Sequence, residues 1–313
     1  PRRQRVHPRW SALLGAVAVL VPTARVRPPD AASLATRLAG MTAVTGYEQT
    51  MADSLVALLP NAVHDRAGNV VVTLGRGTPT RLVACPLDEA GYIVGGLQDG
   101  GYLTLRRVGR PEATLQDQWL MGRRVTVWRA AGPLPGVVSI PSVHLLRGRS
   151  TEAEGPAYTV DQLTVDVGAT SEAQLDTLGL AIGDPVAAEK DPVRYGDSLL
   201  AAPAAGIRGA CAALATAVLR GVTPRTGKVV AVFAVESRLG ERGIRTAAAE
   251  SGPFGASLLL NFAMPSRLLG AQYGIVTHRD LAVRYAGSPV ETINLHQAAS
   301  LADEVARWIG GAR

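Results

Sequence analysis

Arg81-Leu82-Val83-Ala84-Cys85-Pro86-Leu87-Asp88-Glu89-Ala90-Gly91 passes from a continuous apolar run into a proline and then a pair of carboxylates. An apolar run of that length, stopped by Pro and Gly, reads as a strand buried on both faces that ends in an acidic turn. Val70 to Leu74 reads as a second buried strand. Upstream, Asp30 is an N-cap for a helix with Leu34, Leu38 and Met41 on one face, and Tyr47 to Leu59 repeats the spacing with Met51, Leu55 and Leu58.

Downstream of Gly91 the period changes. Between Tyr92 and Lys190 short β-like runs alternate with Gly, Pro and Asp: Tyr102 to Arg106, Arg124 to Trp128, Val137 to Ile140 and Gln162 to Val167. Helix and strand patterns then resume, with helices over Ile207 to Arg220, Arg242 to Glu250 and Ala299 to Ile309, and strands over Lys228 to Val235 and Ala256 to Phe262. The expected organisation is an N-terminal arm over 1–30, an α/β domain over 31–91 and 191–313, and a small β-barrel inserted over 92–190.

At 313 residues, 47% apolar, with 34 glycines and 20 prolines, the chain can bury a sizeable core and carries many turns. Its net charge of +6 is concentrated in the arm, where six arginines face only Asp30. No basic stripe interleaved with aromatics follows, which argues against a nucleic-acid partner. In the arm, Arg2, Arg3, Arg5 and Arg9 precede an uncharged run from Ser11 to Val21 and then Pro22-Thr23-Ala24. That is the layout of a secretory signal, and it predicts an exported, periplasmic or cell-surface protein. An uncleaved arm that touches a partner or a membrane surface is the rival reading. Cys85 and Cys211 permit at most one internal bridge. Buried free thiols are the plainer reading, and a bridge is the one an exported protein would tolerate.

Thr45-Gly46-Tyr47-Glu48, Asp65-Arg66-Ala67-Gly68-Asn69, Leu87-Asp88-Glu89-Ala90-Gly91, Leu120-Met121-Gly122-Arg123-Arg124-Val125, Ile182-Gly183-Asp184-Pro185 and Val283-Arg284-Tyr285 resemble, in order, the landmarks of the tetrahedral aminopeptidases. This metallopeptidase family includes glutamyl and deblocking aminopeptidases and is often labelled endoglucanase. The resemblance runs from about Ser33 to Ile309. It implies a mixed-sheet, zinc-aminopeptidase-like (phosphorylase/hydrolase-like) α/β domain, an inserted barrel that builds dimers and larger shells, and a pair of divalent metals with a Glu as general base.

Carried over one position at a time, the implied ligands are missing. Pro86 stands where the first His is expected, and Asp88, which would orient that His, is kept. Gly206 stands for the bridging Asp of the element matched by Ala205-Gly206-Ile207-Arg208. Ser237 and Arg238 stand for the tandem Glu pair, although a one-residue gap would put Glu236 at the base position. Asn261 replaces an Asp and Gly287 the last His. Only 25 residues lie between those two, fewer than the family implies, so a truncation of the cleft near its C-terminal part is expected.

The surviving polar groups Asp88, Glu89, Arg208 and Glu236 are expected to form an ion-paired cluster at the strand ends in preference to a leftover ligand site. His278-Arg279-Asp280 imitates a metal motif without a third donor in view, and Ser237 has no His/Asp partnership. Trp119 and Trp128 belong either to the insert's own core or to a subunit interface. The expectation is a chain with no metal site and no cofactor, an inactive relative acting as an assembly or scaffold subunit. Its partners would be copies of itself, a catalytic paralogue or a larger complex. Two alternatives stand beside this: a ligand- or peptide-binding module in which Arg208 or Arg238 grips a carboxylate, and an active metalloaminopeptidase with a non-standard site.

Overall fold

The computed structural model describes residues 29–109, 111, 113–140, 159–263 and 269–311; the expectations for the arm over 1–28 lie outside the described residues. Helices α1 (Ala31–Ala39) and α2 (Gln49–Leu58) open the chain. The Asp30 carboxylate accepts the Ser33 N–H at 2.8 Å, so the cap forms where the sequence predicts it. Strands β1 (Val63–His64), β2 (Val70–Gly75) and β3 (Thr80–Pro86) follow.

The barrel comes next. β4 (Gly91–Leu97), β5 (Tyr102–Val108), β6 (Arg124–Arg129), β7 (Gly132–Val138), β8 (Thr164–Asp166) and β9 (Pro185–Ala188) close in the order β4-β5-β8-β7-β6-β9, with α3 (Glu172–Thr177) between β8 and β9. Val94, Leu103, Leu105, Val125, Val127, Val138, Val165 and Val186 fill it. Alternate residues of each strand point inward, as the period of two requires. β7 starts earlier than expected and ends at Val138, not at Ile140. Pro133 and Pro135 disguise it in the sequence, but its register with β6 runs from Arg129↔Gly132 to Arg124↔Val137.

The chain then returns to the α/β domain through β10 (Val193–Tyr195), β11 (Leu199–Ala201), α4 (Ala205–Leu219), β12 (Lys228–Ala234), α5 (Arg242–Ser251), β13 (Ala256–Leu260), β14 (Ile275–Arg279), β15 (Val283–Arg284), β16 (Thr292–Asn294) and α6 (Leu295–Gly310). The main sheet has the order β1-β2-β12-β3-β13-β14; β12, β3, β13 and β14 are mutually parallel, and β2 pairs antiparallel with β12. The fold is therefore the expected mixed-sheet α/β domain with an inserted barrel.

Alternation within β3 and β12 builds two cores. Val83, Cys85, Val229, Ala231 and Phe233 face α1, α4 and α6, whereas Leu82, Ala84, Val230, Val232 and Ala234 face α5. Both faces being covered is why these strands read as unbroken apolar runs. A small antiparallel sheet, β10-β11-β16-β15, was not anticipated, because strands of two or three residues carry no measurable period. α6 begins four residues before the expected Ala299. Asn294 caps it, its side-chain oxygen accepting the N–H groups of His296 and Gln297.

Candidate functional site

The parallel strands end on one side of the sheet, and the positions of interest gather there, as ligand crevices do in open α/β sheets. Pro86 closes β3 opposite Ala234 of β12, so Glu236, Ser237 and Arg238 emerge beside it. Asn261 directly follows β13. Gly206 lies in the first turn of α4. A Cβ on Gly206 would come to 3.1 Å from Asn261 Nδ2, 3.1 Å from Glu291 Oε1 and 2.8 Å from Val283 Cγ1. Gly287 joins through the same glutamate: Glu291 Oε1 accepts the Gly206 N–H and its Oε2 the Gly287 N–H, each at 2.7 Å. The structure thus brings the six positions named from the resemblance to one place and adds Glu291, which no motif marks. The segment between Asn261 and Gly287 carries β14 and β15.

Each carboxylate kept there is engaged within the fold. Asp88, wholly buried, accepts the Ser237 and Arg238 N–H groups at 2.9 and 3.0 Å and the Thr45 hydroxyl at 2.9 Å. Glu89 accepts the Ala43 N–H at 3.0 Å, bonds the Lys190 ammonium, and pairs with Arg208 Nη2 at 3.3 Å. Burial pushes the Glu89 carboxyl upward, but the charges of Lys190 and then Arg208 outweigh it and hold the group below the usual carboxylate range. Glu236 stands apart from this cluster. Its backbone is left-handed at φ 51°, and its carboxylate pairs with Arg242 at 3.0 Å. The Glu236 N–H is instead accepted by Glu48, a buried residue of the Thr45-Gly46-Tyr47-Glu48 landmark, at 2.8 Å.

Arg208 corrects one expectation. It is 1% exposed and donates inward to the Leu87 carbonyl, so it is not placed to grip a ligand. Arg238 is better placed: with Asn261, Glu291, Ile207, Val283 and Pro111 it lines a cavity of about 250 Å³. The cysteines bring a second correction. Cys85 and Cys211 are not free thiols but a disulfide with Cα atoms 5.5 Å apart. Both side chains are buried, which is the part of the plainer reading that the packing supports, and α4 crosses β3 where the two meet. His278 lies on β14, where its neighbour Arg279 pairs with Glu304. Trp119 is half-buried beside a small cavity shared with Glu89 and Lys190, and Trp128 is exposed on the barrel wall outside its core.

The residues do not fit a pair of divalent metals. Pro86, Gly206 and Gly287 offer no side-chain donor, Arg238 brings like charge, and the Asn261 oxygen already accepts the Leu281 N–H at 2.9 Å. Among the described residues no group of three or more His, Cys, Asp or Glu side chains is placed to hold a metal ion.

A mixed sheet whose strand ends form a crevice, interrupted by a closed barrel, defines the class as an α/β protein with an inserted barrel. The profile of the M42 glutamyl aminopeptidase family matches residues 68–256, and the chain belongs to that family. It is 27% identical to FrvX of Escherichia coli over 222 residues, covering 69% of this chain and 60% of FrvX. To the lysyl aminopeptidase of Pyrococcus furiosus it is 26% identical over 226 residues, 70% of this chain and 63% of that one. The chain therefore spans less than two thirds of the length of these relatives. An aminopeptidase of the archaeon Desulfurococcus kamchatkensis superposes with a TM-score of 0.75 at 18% identity, over 90% of this chain and 95% of that one. The TET1 peptidase of Pyrococcus horikoshii, described as assembling into a tetrahedron or a large octahedral shell, superposes at 0.72 and 21% identity, over 88% and 97%. At such identities the likeness is one of fold.

Proposed function

We propose that this chain is a catalytically inert member of the M42 family that serves as an assembly subunit. The observation that supports this is the convergence at the strand ends: of the six positions that meet there, Pro86, Gly206, Gly287 and Arg238 supply no ligand atom that suits a divalent metal, the Asn261 oxygen is taken by the Leu281 N–H, and the carboxylates beside them, Asp88 and Glu89, are occupied by N–H groups and cations. Inductively coupled plasma mass spectrometry after incubation with zinc or cobalt, with turnover of aminoacyl chromogenic substrates, tests this. The expected result is well under one metal per chain and no turnover above background. Two bound metals with turnover would establish the active alternative.

Assembly through self-contact is supported by the surface where the barrel meets the start of α2. Tyr47, Trp128 and Ile182 are 43%, 37% and 70% exposed. Tyr47 and Trp128 line a groove of about 590 Å³ between α2 and the barrel, and Ile182 borders it beside Gly183. Exposed aromatics around a groove of that kind favour protein contact. Light scattering after size exclusion is expected to show an oligomer or a stable complex, and Trp128→Asp to shift it to smaller species with the circular dichroism unchanged. A wild-type chain that runs as a monomer at high concentration would count against assembly. The buried disulfide favours an oxidising location outside the cytoplasm. The cavity at Arg238, Asn261 and Glu291 supports a second reading, ligand binding; a screen of free amino acids and dipeptides by thermal shift tests it, and the absence of any shift would retire it.

A further inference from the structure

The polar floor of this cleft holds a buried cation that is only partly satisfied. Arg208 is buried with its Nε lacking a hydrogen-bond partner among the described residues, and Lys190 and Arg208 both pair with Glu89. A guanidinium left partly unsatisfied in the interior favours separation of the elements that enclose it. Those elements are β3 with the turn after it and the first turns of α4. Arg208 and Cys211 lie one turn apart on α4 and reach the same chain segment: Arg208 touches Leu87 and Glu89, and Cys211 is bonded to Cys85. α4 also packs closely on its other side, where a Cβ on Gly209 would come to 2.7 Å from Ile293 and from Leu281.

We infer that the Cys85–Cys211 bridge is a covalent staple of α4 onto β3 beneath this cleft, added to the packing of the core, so that the stability of the cleft floor depends on oxidation and not on metal. The inference rests on the reading that the cleft binds no metal pair. Bridging residues 126 apart in sequence, the link encloses the whole barrel in one covalent loop and withdraws much freedom from the unfolded chain. With Cys85 at 0% and Cys211 at 1% exposure, a dithiol reductant reaches the sulfurs only after the floor opens. The bridge is therefore a structural staple formed during folding, not a switch thrown in the folded protein.

Three measurements on the whole chain, produced under oxidising conditions, decide the matter. Thiol titration after denaturation without reductant is expected to find no free thiol, and two per chain would overturn the inference. The double variant Cys85→Ala/Cys211→Ala is expected to melt about 10 °C below the wild type. Should it fail to fold, wild-type chain refolded with and without dithiothreitol gives the same comparison, and equal melting temperatures would overturn the inference. Prolonged chelation by EDTA is expected to leave the melting temperature unchanged; a drop as large as that from losing the bridge would overturn both this inference and the inert reading. Free thiols in a chain that binds no metal would sink the staple alone. Metal-dependent turnover in a chain with the bridge intact would sink the inert reading and leave the covalent tie standing.

Discussion

Glu89→Gln is expected to destabilise the protein by about 3–5 kcal/mol, the range for removing one partner from a buried ion cluster. The amide keeps the shape and still accepts the Ala43 N–H, but it removes the negative charge that Lys190 and Arg208 both face. Urea denaturation at pH 7 reads the loss directly. The double variant Glu89→Gln/Lys190→Met should recover part of it, because one buried cation is removed with the anion. The sign of the pH dependence is set by the lowered carboxyl of Glu89. Its contribution is present above the unfolded carboxylate range and is lost as the pH falls through its folded value. A Glu89→Gln chain with the wild-type urea midpoint would show that the cluster contributes nothing.

Glu48 works in the opposite direction. Burial, opposed by the Glu236 N–H and reinforced by the negative charge of Asp88, raises its carboxyl from 4.5 to about 7. A group whose folded value lies above its unfolded one stabilises fully below the unfolded value and loses that contribution as the pH rises through the folded one. Wild-type stability is therefore expected to fall by about 3 kcal/mol between pH 4.5 and pH 8 from this residue. Glu48→Gln, whose amide oxygen can accept the same Gly46 and Glu236 N–H groups, should flatten the curve over that interval and be the more stable protein at pH 8. Urea midpoints for the two proteins across this interval make the comparison, and parallel profiles would refute the assignment. Together the two glutamates place the best stability of the cleft floor in mildly acidic solution.

Much of the main sheet was legible because β3, β12 and β13 are covered on both faces, and continuous burial selects a continuous apolar run. β4 and β9 to β11 were not recovered from pattern, being short or rich in small residues, and β7 was shifted by its prolines. At the strand ends, the six positions could be named only through the resemblance to the family's landmarks. Glu291 could not, since its role comes from lying within reach of Gly206 and Gly287, which are 81 residues apart in the chain. Lys190, which marks only the end of the insert in the sequence, proves to be a buried partner of Glu89. Arg208 looked like a candidate for holding a ligand, and its guanidinium turns inward instead.

Residue types are local facts, so the chain's letters settle which donor atoms can ever be present: a proline and two glycines supply no side-chain lone pair in any fold. Which charge meets which is not local. Pairing among Glu89, Lys190 and Arg208, the joining of Cys85 to Cys211 and the placing of Glu291 against two distant glycines follow from how α4 and the barrel return onto the ends of the sheet, because electrostatic and covalent contacts act over ångströms in space whatever their separation along the backbone.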